Sequence, residues 1–228
     1  MSLEPDVKAL LEPDSELMEM FKDKAPGTFR HCDSVAQLTD AVCGHLQSIK
    51  RDILFPAAKL HDIGKICNPE FFAENQPKDS NIHDDLDVEV SFQYLSRHVS
   101  DSLMILLQYP CISREVLEVI SQHHGNSPIR SICGDNLDCD KFRYIGKPPQ
   151  SLEACTLMIC DVVEAATRAL FTKGKLNDIK QTVTQLIDVL VEDKQLDYLR
   201  IGELRVIRKV LCDEVGNLYH KRVDYDKE

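Results

Sequence analysis

The sequence contains no apolar run that approaches the ~20 residues needed to cross a bilayer, and it lacks the charged-then-apolar beginning of a secretory signal. These two absences exclude the simplest membrane and export signals. We therefore expect no membrane segment in this chain and a cytoplasmic location. The same pattern is expected of the cytosolic domain of a membrane-anchored protein.

Clusters of basic residues are also missing. The formal net charge is −11 over 228 residues, and lysine and arginine form no stripe. Because neutralisation of phosphates supplies most of the non-specific affinity for duplex nucleic acid, we expect no duplex partner. A small phosphate-bearing ligand, held by metals and a few cations, is compatible with this charge.

Closely spaced cysteine pairs are a third absence. The sequence has nine cysteines but no C-x-x-C pair. We predict reduced, mostly buried thiols and assign none of them to a metal.

Strand signals are absent as well, since no stretch alternates polar and apolar residues, no hairpin dipeptide occurs and no 20–50-residue repeat is visible. Apolar residues recur at helical spacing instead, which predicts an all-α fold. We expect long connections over residues 66–85 and 125–150 and a helix break near residues 98–101. Helices are predicted over residues 29–50, 51–64, 86–109, 113–124, 151–170, 176–191 and 201–220. We divide the chain into a lead-in segment, residues 1–24, and one domain, residues 25–228, in which the helices of residues 176–220 are scaffold.

The adjacent residues His61 and Asp62 end an apolar helical run and precede a glycine. Imidazole nitrogen and carboxylate oxygen are ligands for divalent zinc, iron or manganese. Alone, such a pair is more often a surface or capping feature than a ligand set. Five further residues in or at the end of predicted helices strengthen the metal interpretation: His31, His98, His123, His124 and Asp161.

Seven ligands are about the number that two metals need when they share one carboxylate. With Asp62 as the shared ligand, the metals would lie ~3.5–4 Å apart, a spacing suited to a hydroxide and a phosphoryl group. Lys65 and Arg168 are the cations available for the other phosphate oxygens. We therefore assign catalysis to Asp62 and Lys65, and substrate binding to Lys65 and Arg168.

Dispersed motifs add a resemblance to a known family. They are residues 25–31 (APGTFRH), 58–65 (AKLHDIGK), 71–76 (FFAENQ), 96–99 (SRHV), 122–125 (QHHG), 142–150 (FRYIGKPPQ), 161–166 (DVVEAA) and 218–223 (LYHKRV). The chain resembles the HD phosphohydrolase superfamily. The full set is similar to the HD domain of the bacterial 7TM-HD proteins, known as cyclic di-AMP phosphodiesterases.

The resemblance implies an HD-type helical bundle with a dinuclear site that holds two divalent transition metals, iron or manganese. One metal would be held by His31, His61, Asp62 and Asp161, and the other by Asp62, His98, His123 and His124. His83 matches a family histidine for which a loop-fixing hydrogen bond and a substrate contact are both open. The sequence departs from the family at Cys32 and Cys160 and in an insertion over residues 129–140, which bears on substrate selectivity.

The function implied is hydrolysis of a cyclic dinucleotide, with cyclic di-AMP opened to linear pApA. One alternative is another HD-type nucleotide phosphohydrolase. A cyclic di-GMP enzyme is less favoured, because no Gly-Tyr-Pro follows His123 and His124. A catalytically idle nucleotide-binding sensor module is a second alternative, and a di-iron oxygenase is a distant one.

Overall fold

The structure is a computed structural model that describes residues 5–77, 80–132 and 138–225. The nine α-helices of this part are α1 Pro5–Leu10, α2 Glu16–Lys24, α3 Pro26–Cys43, α4 Arg51–Leu60, α5 Val88–Leu106, α6 Arg114–Ser121, α7 Leu152–Thr172, α8 Ile179–Glu192 and α9 Ile201–Tyr225. No β-strand occurs in the described ranges, so the all-α prediction is confirmed. Within the same ranges, no helix has both the length and the apolar character needed to cross a membrane.

Local capping sets where several helices begin. Ser15, Ser113 and Ser151 each accept a hydrogen bond from the backbone amide three residues later, which satisfies a donor that the first helical turn leaves unpaired. Helix α3 has Pro26 in its first turn and no side-chain cap of its own. Its cap comes from Asn75, whose Oδ1 accepts from two amides of that turn at 2.8 and 3.1 Å. The connection after α4 is thereby fixed to the start of α3.

The core lies where α3, α4, α6 and α7 pack together. Helix α7 is its most enclosed element, since every residue from Leu152 to Asp161 is buried. Helices α8 and α9 pack against each other and cover α7 and α3. Leu17, Met18 and Phe21 of α2 belong to the same apolar cluster, so the predicted lead-in segment shares the core of the predicted domain.

Several predicted helix boundaries differ from the structure by a few residues, and three features differ most. Helix α3 begins at Pro26 and ends at Cys43, so the prediction of residues 29–50 starts late and ends late. Helix α5 runs without a break through residues 98–101, which places His98 inside it. The connection over residues 66–85 is not wholly irregular either. Its short 3₁₀ helices are Ile63–Cys67, Pro69–Phe71, Ala73–Asn75 and Ile82–Asp85.

The cysteine prediction holds only in part. Among the described cysteines, Cys32, Cys155 and Cys160 are buried free thiols and Cys67 is an exposed one. Cys139 is disulfide-bonded, so the prediction of reduced thiols is wrong at this position.

Candidate metal centre

The turn that carries His61 and Asp62 follows the last residue of α4 and is clamped onto α5. Ser102 donates its hydroxyl to the His61 carbonyl at 2.9 Å and accepts from the Gly64 amide at 2.8 Å. A Cβ at Gly64 would lie 2.2 Å from the His98 carbonyl oxygen, so only glycine allows this approach. The clamp fixes His61 and Asp62 relative to His98.

The structure brings all seven predicted ligands together. They form two groups of four, and in each group one candidate ligand atom per residue lies within 4.8 Å of the other three. The first group is His31, His61, Asp62 and Asp161, and the second group is Asp62, His98, His123 and His124. Six of the seven are buried and His124 is partly exposed. The groups coincide with the two ligand sets that the family resemblance implies.

Asp62 belongs to both groups and turns one carboxylate oxygen toward each. Its Oδ1 lies 3.2 Å from Nε2 of His98 and 3.6 Å from Nε2 of His123. Its Oδ2 lies 3.5 Å from Nε2 of His61 and 3.7 Å from Nε2 of His31. The carboxylate is therefore placed to bridge the two groups.

Backbone carbonyls fix the ring state of three histidines. Nδ1 of His61, His98 and His123 donates to the carbonyl of the residue three positions earlier, at 2.9, 2.6 and 2.6 Å. When Nδ1 holds the proton of a neutral ring, Nε2 carries a lone pair. In all three residues Nε2 faces Asp62, which is the orientation a metal ligand needs.

His31 is oriented by a carboxylate instead. Its Nε2 lies 2.9 Å from Oδ1 of Asp161, and its Nδ1 hydrogen-bonds to Oε2 of Glu164. Glu164 is only 1% exposed and also accepts from Nε of Arg168 at 3.1 Å. We did not predict a role for Glu164 from the sequence. Its position one helical turn after Asp161 was the available signal, because residues three apart share a helix face.

The charge balance of this buried cluster suits a divalent cation. Burial alone would raise the pKa values of Asp62 and Asp161, but Lys65 and the surrounding imidazoles hold the pKa of Asp62 well below its ordinary range, and imidazoles alone do the same for Asp161. Burial opposes protonation of His31 too, yet its bonds to Asp161 and Glu164 raise its pKa to about 10. Ionised carboxylates thus attract a positive charge into the site.

Two buried atoms point to the same conclusion. Nε2 of His61 and Oδ1 of Asp62 have no hydrogen-bond partner in the described part of the chain. A buried polar atom left unpaired costs about 1–3 kcal/mol. Both atoms are good ligands for a divalent cation, and both face their groups. The cluster could therefore hold divalent metals, as predicted.

Lys65 contacts Asp62, the residue that the two groups share, and its ammonium group is paired with protein carboxylates. Its Nζ is 2.7 Å from Oδ2 of Asp62 and 2.9 Å from Oε1 of Glu74, and it lies 4.7 Å from the centre of the Phe72 ring. Glu74 is a second partner that we did not predict. It lies nine residues after Lys65 and next to Asn75, which fixes this connection to α3.

The other two predicted substrate residues lie outside both groups. Arg168 reaches the cluster through Glu164 and leaves about a quarter of its side chain exposed. His83 donates from Nε2 to the carbonyl of Phe71 at 2.8 Å, which is the loop-fixing bond considered from the sequence. Substrate contact by these residues stays a prediction.

Comparisons with known proteins agree with the all-α fold. The sequence model of the HD domain family matches residues 28–166. The chain is 31% identical over 226 residues to the cyclic-di-AMP phosphodiesterase PgpH of Bacillus subtilis (strain 168). It is 30% identical over 229 residues to the PgpH of Listeria monocytogenes serotype 1/2a (strain 10403S). Each match covers 95% of this chain but only 31% of the relative, so the chain spans about a third of the length of these proteins.

A solved structure extends the likeness to three dimensions. The L. monocytogenes PgpH HD domain in complex with cyclic-di-AMP superimposes with a TM-score of 0.80 at 28% identity, covering 91% of this chain and all of that one. The buried cluster of histidines and aspartates, together with these matches, places the chain in the class of metal-dependent phosphohydrolases. This chain belongs to the HD domain family of that class. The predicted family and fold class are confirmed.

Proposed function

We propose that this chain is a phosphodiesterase that opens cyclic di-AMP to linear pApA with two bound divalent metals, iron or manganese. The first group would hold one metal and the second group the other. The observation that carries the proposal is Asp62, whose two oxygens face different groups at 3.2–3.7 Å. The cyclic-di-AMP complex of the similar Listeria domain supports the choice of substrate.

The bound metals would supply hydroxide at neutral pH and neutralise phosphoryl oxygens. The residues of the chain hold and orient the groups around that chemistry. The backbone bonds of Nδ1 keep the Nε2 atoms of His61, His98 and His123 directed inward. Burial opposes a charged Lys65, but Asp62 and Glu74 raise its pKa above the ordinary value. Lys65 therefore stays a cation, which favours binding a phosphate oxygen over transferring a proton.

Hydrolysis adds one water across one P–O3′ bond, which leaves a 5′-phosphate on one nucleoside and a 3′-hydroxyl on the other. The experiment loads the metal-free protein with Mn²⁺ or, anaerobically, with Fe²⁺ and follows cyclic di-AMP by chromatography. We expect linear pApA as the first product. Cyclic di-GMP, tested alongside at equal concentration, should be opened more slowly.

The alternatives give different results when nucleoside mono- and triphosphates are tested beside cyclic di-AMP in the same assay. Inorganic phosphate or triphosphate as the first product, from a mononucleotide rather than from a cyclic dinucleotide, would favour another HD-type phosphohydrolase. Binding of cyclic di-AMP without turnover under several metals would favour a nucleotide-binding sensor. Either result would contradict the proposed activity.

The two groups should bind metal with different pH dependence. In the first group His31 holds a proton up to a pKa of about 10, and the pKa of His61 is also raised well above its ordinary value by its neighbours although burial opposes this, so a metal must displace both protons. Affinity there should rise by at least about tenfold per pH unit between pH 6 and 9. In the second group burial lowers the pKa values of His123 and His124, so these rings are already neutral and affinity should change much less. Mn²⁺ titrations of His124→Ala and His31→Ala isolate the first and second groups respectively, and equal slopes would contradict the assignment.

Glu164→Gln should weaken the first group selectively. The amide can still accept from Nδ1 of His31, but the charge that favours a metal-bound imidazole is lost. We expect about 10–100-fold lower affinity for the first metal, as is typical when a partner of a ligating histidine is changed. The matched control is Glu153→Gln, which alters another buried carboxylate of α7 that accepts from the Lys50 amide at 2.9 Å. An equal loss in the control would mean that the effect is not local to His31.

A further inference from the structure

His124 is held differently from the other six predicted ligands. Its side chain is 17% exposed, and the atom that faces Asp161, at 3.5 Å, is Nδ1. No backbone carbonyl or carboxylate of the described residues forms a hydrogen bond with its ring. Aromatic packing orients the ring instead. It stacks on Tyr144, with ring centres 4.2 Å apart and planes at 20°, and it also contacts His123 at 4.0 Å.

Tyr144 is itself fixed by backbone pairing. Its amide donates to the Ser127 carbonyl at 3.0 Å, and the neighbouring bond from the Ile129 amide to the Phe142 carbonyl is 2.8 Å. Ser127 also donates from its hydroxyl to the His124 carbonyl at 2.8 Å. The backbones of His124 and Tyr144 are thus tied to the same residue. Their rings have little freedom to separate.

The segment that carries Tyr144 is anchored to the connection between α8 and α9. Arg143 donates to the Asn126 carbonyl at 2.8 Å and to Asp193 at 2.7 Å. Gln195, which is 1% exposed, donates to Oδ1 of Asn126 at 2.7 Å. Lys194 takes a left-handed backbone conformation, φ 58°, that turns the chain between these two contacts. Asp193 and Gln195, which were predicted only as scaffold, therefore hold the segment that carries Tyr144 in place.

We propose that Tyr144 is a positioning residue for His124 and that its ring sets the affinity of the second group for its metal. This inference rests on the proposed function, because it assumes that the second group binds a metal. The stack substitutes for the backbone bonds that orient His61, His98 and His123. Without it, His124 would lose the contact that directs Nδ1 inward.

The test is a calorimetric Mn²⁺ titration of the metal-free protein, of Tyr144→Leu and of Tyr144→Phe. Leucine keeps apolar volume beside the small apolar cluster of Phe71, Phe72, Leu95 and Ile129 but removes the stacking plane. We expect Tyr144→Leu to weaken metal binding at the second group only, by about 10–100-fold. Tyr144→Phe keeps the ring and should titrate like the parent protein. His124→Ala, which removes the ligand, provides the reference for a lost second site.

The outcomes separate this inference from the proposed function. A parent protein that binds fewer than two metals would overturn the proposed function before Tyr144 is considered. If the parent binds two and Tyr144→Leu retains both affinities, the positioning role is wrong. Equal weakening of both sites in Tyr144→Leu would indicate a general structural role and would also overturn it. Loss of the second metal in Tyr144→Phe would assign the effect to the hydroxyl and contradict positioning by the ring.

Discussion

Asp62→Asn is expected to empty both metal sites together. The asparagine side chain has the same shape but lacks the negative charge that lies between the two groups, and only one of its two terminal atoms can accept a metal bond. Because each carboxylate oxygen of Asp62 faces a different group, both sites should lose affinity. Turnover should fall by about 10³-fold or more, since several kcal/mol of charge stabilisation depend on the metals.

Metal analysis of purified variants measures this result directly. The parent protein should approach two metals per chain and Asp62→Asn should approach zero. His31→Ala and His124→Ala are the matched controls, because each changes a residue of one group only, and each should keep about one metal. Two metals retained in Asp62→Asn would show that this carboxylate does not bridge the sites.

The candidate ligands could be predicted from the sequence because each lies in a pattern with a local meaning. Asp161 stands out as a carboxylate within an apolar helical run, and His61 with Asp62 ends another such run. Periodicity does not say which ligands share a metal, since that depends on how helices distant in sequence approach one another. The division into two groups came from the family resemblance, and the helix packing agrees with it.

The partners of the ligands were harder to predict. Each of these partners contacts a residue between 9 and 133 positions away in the chain. The contacts are Glu164 with His31, Glu74 with Lys65, and Tyr144 with His124. Arg168 contacts Glu164 on α7, the helix that also carries Asp161. The sequence could not reveal that Glu164 lies between Arg168 and the cluster. Glu164 and Arg168 both follow Asp161 at helical spacing, so the pattern does not say which of them contacts the ligands.

The predicted limits of two helices were wrong for a related reason. Asn75 caps the first turn of α3 from 47 and 48 residues away, a contact that no local capping signal contains. Helix α5 continues through His98 because the helical backbone places its Nδ1 against the carbonyl of Leu95. A buried ligand site thus supports a stretch whose local composition suggested a break.

Lys65→Met should have the second large effect, on stability and on turnover. Methionine keeps the apolar stem but removes the cation, which is 12% exposed and lies within 3 Å of Asp62 and Glu74. Breaking a buried ion pair by removing one partner costs about 3–5 kcal/mol. We expect a loss of that order in the metal-free protein, measured by denaturant unfolding. Glu74→Gln in the Lys65→Met background should recover part of it, because it removes one of the two unpaired carboxylates.

The pH dependence of unfolding tests the same contact. Burial would raise the pKa of Glu74, but Lys65 lowers it from 4.5 to about 2 in the folded protein. A carboxylate with a lowered folded pKa contributes stability above its unfolded pKa and loses that contribution as the pH falls to its folded pKa. The parent should therefore lose this part of its stability between about pH 5 and 2. In Lys65→Met the loss should be absent or reversed, while Glu70→Gln, on the same connection, should follow the parent.

Turnover and metal content of Lys65→Met then decide what the lysine does. As a phosphate contact, Lys65 should be dispensable for metal binding, and its loss should lower turnover by ~2–4 kcal/mol, or about 30- to 1000-fold, with both metals present. If Lys65 instead supports Asp62, its loss should release metal, and turnover should recover when excess Mn²⁺ is supplied. The short contact between Nζ and Oδ2 allows either role in the metal-free protein. Metal retention without turnover would support the phosphate contact, whereas recovery by excess metal would leave Lys65 no direct part in catalysis.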